Sequence, residues 1–172
     1  MLKLFWWRVS FLGLVILIQF SFVNVLFPQS AVPGMLLSVV ASLVLVRGFR
    51  TSVVEWGLLL VFYDVLRAGE VTAIVLVGIT LAYLVSFVSR RFIFEHTGMG
   101  LFLLGLLVAS VSVLGMSLLS IMGATMLAGW FYQLVDFGMI LLVFSPIFLL
   151  VQWFEGRVQE AQRSQFRGLR HA

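Results

Sequence analysis

The sequence predicts an all-α integral membrane protein of six transmembrane helices with both ends in the cytoplasm. Three observations predict it. Of the 172 residues, 62% are hydrophobic and 10% charged, against about 45–50% and about a quarter in soluble domains. The apolar residues fall into six runs separated by short polar or basic breaks. Spans of roughly 20 residues each would use about 120 residues and leave no room for a soluble catalytic domain. The third observation is charge placement. Lys3, Arg8, Arg47, Arg50, Arg90, Arg91, Arg157, Arg163, Arg167 and Arg170 fall on one side of this layout and only Arg67 on the other, and basic loops stay cytoplasmic.

The first run, over 6–27, opens with the interfacial anchors Trp6 and Trp7 and stops at Pro28. Lys3 and Arg8 ahead of it resemble a signal peptide, but no small-x-small cleavage site follows and more spans come after, so an uncleaved first helix is expected. The second run, from 31 to 46, tolerates Pro33 in its first turn, where the missing amide has no intrahelical partner. A basic turn, Arg47-Gly48-Phe49-Arg50, follows. The third run, 52–66, is short and carries Glu55 and Asp64. Were it to lie on the surface instead, Arg90 and Arg91 would fall outside and the charge asymmetry would largely vanish.

Arg67-Ala68-Gly69-Glu70 leads into a fourth span over 71–88, which ends at Arg90 and Arg91. The fifth run, 99–127, is too long for one upright crossing and must tilt or protrude. Trp130, Phe131 and Tyr132 form an aromatic cluster before the last span, 137–154, where Pro146 should bend the helix. Residues 1–154 thus form a transmembrane domain and 155–172 a basic cytoplasmic tail. Arg163, Phe166, Arg167 and Arg170 suit a short amphipathic helix on anionic lipid.

The chain has no cysteine, which excludes disulfides and thiolate chemistry. His96 and His171 lie in hydrophilic segments, so no intramembrane metal cluster or nucleophile pair is expected, and no cofactor or enzymatic activity. The net charge of +4 reflects membrane orientation rather than nucleic-acid binding. Ionisable groups inside spans are costly. Glu55 and Asp64 are nine residues apart, about 180° on a helix, and cannot share one face. Arg50 or the lipid surface would solvate Glu55, while Asp64, Arg67 and Glu70 have the spacing of a helix-end salt-bridge chain. A minor alternative pairs Asp64 with Asp136 as a membrane aspartyl protease, although no Gly-x-Gly-Asp or Asn-x-x-Asp motif accompanies them.

Gln19 and Asn24 suit hydrogen bonding between helices. Gly105, Ala109 and Ser112, with Met116, Ser120 and Gly123, make a stripe of small residues that permits close helix approach. A partner would be recognised at Asp64, Arg67 and Glu70, or at the stripe if internal packing does not consume it.

Several features fall in one order: Leu17-Ile18-Gln19, a proline before Met35-Leu36-Leu37, the Arg47-Gly48 turn, Gly57-Leu58-Leu59-Leu60 leading to Asp64, Tyr83-Leu84 before Arg90-Arg91, and Ser145-Pro146 ahead of a charged tail. That order resembles MreD, the small membrane subunit of the bacterial rod-shape machinery. A second glycine, usual four residues before the aspartate, is Leu60 here. The resemblance implies a non-enzymatic scaffold of the bacterial cytoplasmic membrane that binds an MreC-like bitopic protein and links MreB-like filaments to peptidoglycan synthases. It also implies a fold similar to the substrate-binding subunits of energy-coupling-factor transporters. Those subunits supply the alternative function, vitamin or solute binding, although the first helix lacks their Ala-x-x-x-Ala contact.

Overall fold

A computed structural model describes residues 2–19, 21, 34–66, 73–91, 98–121 and 130–169. Among them are six helices and no strand: α1 (Leu2–Ile18), α2 (Gly34–Arg47), α3 (Phe49–Leu66), α4 (Ala73–Arg91), α5 (Gly98–Ile121) and α6 (Trp130–Leu169).

The shortest helix is the hub. α2 is apolar all round, as a helix surrounded by protein must be, and every residue from 36 to 44 is buried. Its two buried serines are satisfied within the helix, Ser38 donating to the Gly34 carbonyl at 2.8 Å and Ser42 to that of Ser38 at 2.7 Å. The other five helices form a ring around α2 in the order α1, α3, α4, α5, α6, and all of them touch it. Phe11 of α1 closes the ring by stacking on Phe154 of α6, with centroids 4.7 Å apart.

Chain direction follows from the turns. Gly48 alone separates α2 from α3; its φ of 84° lies in the left-handed region that only glycine enters cheaply. Its amide donates to the Val44 carbonyl at 2.9 Å, and the Ser52 hydroxyl donates to the Gly48 carbonyl at 2.7 Å. α3 therefore runs back along α2. α6 runs parallel to α2: a Cβ on Gly34 would stand 2.7 Å from Ile140, while Arg47 lies beside Glu155.

The sequence expectations for α2, α3 and α4 differ from the structure by three residues or fewer at each described boundary. The last helix differs more. It begins at Trp130 and runs 40 residues through Pro146 to Leu169, so the aromatic cluster belongs to it and the 154/155 boundary falls inside it. No proline or glycine interrupts 130–137, and the tail is rich in Glu, Gln and Arg, which favour helix.

Among the described residues, two helices are long and apolar enough to cross a membrane, over Met99–Leu118 and Phe131–Glu160. The exterior is apolar well beyond them. Large hydrophobic side chains stand exposed on all five ring helices, among them Trp7, Phe62, Tyr83, Leu114 and Leu142, whereas Gln19, Asp64, Asp136 and Glu155 are buried.

Candidate functional site

Four charged side chains from four helices meet at the end of the bundle that carries the α2–α3 turn. Arg8 of α1 reaches Glu55 of α3 through Nη1 at 3.2 Å and Glu155 of α6 through Nη2 at 3.3 Å. Arg47, the last residue of α2, donates through Nη1 to the other oxygen of Glu55 and holds its Nε 3.7 Å from Glu155. Each arginine thus bridges both glutamates, and each glutamate meets both arginines. Two positive and two negative charges close a network of zero net charge.

The backbone explains the geometry. Gly48 reverses the chain so that Arg47 and Glu55, eight residues apart, face each other. On α3 the buried residues are Ser52, Trp56, Leu59, Leu60, Tyr63 and Asp64, and Glu55 sits at the edge of that stripe. Arg47 also stands at the C-terminus of α2, where a cation is favoured by the helix dipole. Glu155 is the most enclosed member, its side chain 4% exposed against 15–22% for the other three. A carboxylate so enclosed needs both guanidinium partners, because an uncompensated buried charge costs several kcal/mol. Phe11 and Trp7, with centroids 4.7 and 6.3 Å from that of Phe154, pack on the residue adjoining Glu155.

This corrects the expectation for Glu55. Arg50 is exposed and is not its partner; the two are five residues apart on α3, about 140° around the helix, so they point to different sides. Sequence reasoning also missed Arg8, Arg47 and Glu155 as site residues. A signal was present: Glu55 and Glu155 are acids at the end of the layout where nearly every other charge is basic, and an acid beside an apolar run needs a cation.

Asp64 lies at the opposite end of α3 and on its other flank, as the 180° separation requires. Its Oδ2 accepts the Val75 amide at 3.3 Å. Val75 is in the first turn of α4, where amides lack intrahelical partners and negative charge is favoured. Asp64 is 2% exposed, so its carboxylate serves the α3–α4 joint. Arg67, Glu70 and Asn24 lie outside the described residues, and with them the expected salt-bridge chain. Gln19, just past the end of α1, and Asp136 of α6 are also buried at this end.

The small-residue stripe faces inward. Ala109 and Ser112 are fully buried, and a Cβ on Gly105 would stand 3.2 Å from the Phe144 ring of α6. Gly123 lies outside the described residues. Gly115 gives the other joint of α5, 3.0 Å from Val77 of α4 by the same measure. Arg163, Phe166 and Arg167 fall on α6 itself, whose last turns stand where the short amphipathic helix is expected; Arg170 lies outside the described residues.

Comparison with protein-family models, curated proteins and solved structures finds no match to this chain.

Proposed function

We propose that this chain is a six-span scaffold of the bacterial cytoplasmic membrane, with both ends in the cytoplasm, acting in cell elongation as MreD-type proteins do. One observation carries the membrane part. The outer face of every ring helix is apolar while the ionised groups turn inward or gather at the helix ends. Hydrocarbon favours such an arrangement and water does not. α2, at 14 residues, spans only about 21 Å, and its ring of neighbours shields it from lipid.

The resemblance in residue order supports the scaffold part. The charge network pins α1, α2, α3 and α6 at one end, and α6 continues from Trp153 to Leu169 for about 24 Å beyond. A helix fixed in this way offers cytoplasmic partners a defined surface, and the bilayer-facing helices offer one to a bitopic partner.

Reporter fusions at Phe49, His96 and the C-terminus should report cytoplasm, and fusions at Gln29 and Ala68 the outer side. An external C-terminus sinks the six-span topology. For the scaffold, co-purification of a bitopic coiled-coil protein and rounding of rod-shaped host cells on depletion are the expected outcomes. Thermal shift against a vitamin panel tests the alternative: a ligand at 100 times its dissociation constant stabilises by about 2.7 kcal/mol, and such a shift would favour solute binding.

A further inference from the structure

We propose that the Trp153–Arg157 face of α6 binds an anionic phospholipid, with the lipid phosphate on the Arg157 guanidinium and its acyl chains along Leu149, Leu150 and Leu142. The proposal rests on the membrane reading above. Leu142, Leu149, Leu150, Trp153 and Arg157 share one side of α6, within about 100° of one another at 3.6 residues per turn, and all are exposed.

Their depth along the helix suits a lipid. From Phe131 to Trp153 is about 33 Å along the axis, close to the roughly 30 Å of a hydrocarbon core, which puts an exposed aromatic at each interface. Arg157 lies one turn, about 6 Å, further out, at headgroup level. Its Cζ stands 5.5 Å from the centroid of the Trp153 ring, a cation–π distance that turns the guanidinium back toward the bilayer.

Charge selects the lipid. Arg8 and Arg47 spend their charge on Glu55 and Glu155, but Arg157 has no carboxylate within ion-pair distance among the described residues. Glu160, exposed on the same face, lies a further turn away from the hydrocarbon. A guanidinium matches phosphate in a two-point contact. The choline of a zwitterionic lipid would oppose it, whereas an anionic headgroup leaves the attraction intact.

The test uses the full chain in phosphatidylcholine vesicles containing a minor fraction of phosphatidylglycerol, with bromine on the acyl chains of one lipid or the other. Fluorescence quenching of Trp153 is read as the difference between the native chain and Trp153→Phe. Brominated phosphatidylglycerol should quench Trp153 as though enriched about five-fold over its bulk fraction, the factor that ~1 kcal/mol per basic residue gives. Arg157→Gln should abolish that enrichment and leave quenching by brominated phosphatidylcholine unchanged. Quenching in proportion to bulk composition would overturn the site while leaving the membrane reading standing. Enrichment that survives Arg157→Gln would overturn the role of Arg157. Absence of quenching by either lipid would overturn the membrane reading and the site with it.

Discussion

α5 and α1 are both ring helices, and they are joined to the bundle by opposite means. α5 meets its neighbours through missing side chains: Gly105 lets in Phe144 of α6, and Gly115 lets in Val77 of α4. The equivalent glycine of α1, Gly13, has nothing within 4 Å of where a Cβ would sit. The first half of α1 is held instead by rings and charge, through Trp7, Arg8 and Phe11. Close packing and polar contacts are the two adhesives that hydrocarbon leaves to helices, and this bundle uses both. Packing by shape tolerates no added volume but is indifferent to charge; the network has the reverse sensitivity.

That contrast can be broken by substitution, read as denaturant unfolding in detergent. The largest effect is expected from Arg8→Met, which leaves the enclosed Glu155 short of a partner and should cost about 3 kcal/mol, the low end for a broken buried pair because Arg8 keeps partial exposure. Arg8→Met combined with Glu155→Met should recover much of that loss, since an apolar pair replaces a buried ionic one at little cost. A double variant less stable than either single one would show that the pair is not coupled as described.

Gly105→Leu should cost about 1–3 kcal/mol by overpacking against Phe144, whereas Gly13→Leu should be close to neutral. Equal losses at the two glycines would erase the distinction between α5 and α1. Asp64→Asn keeps an acceptor for the Val75 amide but gives up the charge at the start of α4, a loss of about 0.5–1 kcal/mol. The smallest effect, within about 0.5 kcal/mol, is expected for Arg50→Gln; a loss matching that of Arg8→Met would place Arg50 in the network after all.

Local features were legible in the sequence because their causes are local. The Arg47-Gly48 turn, the helix ends on either side of it and the close-approach stripe of α5 follow from residue type and spacing, although which helix meets that stripe does not. The charge network does not. Arg8 and Glu155 are 147 residues apart, and they meet only because α6 lies between α5 and α1 in the ring, which periodicity along a single helix cannot reveal. Asp64 was half legible: its place at a helix end is a matter of counting, but its partner is a backbone amide, and amides carry no residue-type signal. The start of α6 was obscured because Trp130, Phe131 and Tyr132 suit an interface and a helix equally well.

Pro146 has a mechanical consequence. It removes one backbone hydrogen bond from a helix that continues 23 residues beyond it, so it is the natural pivot of a lever about 35 Å long. Were that lever free, ten degrees of bending at the pivot would carry Leu169 sideways by about 6 Å. It is bolted at Glu155, nine residues past the pivot, to Arg8 and Arg47. Any swing of that arm must therefore drag the ends of α1 and α2 with it or first release those two arginines.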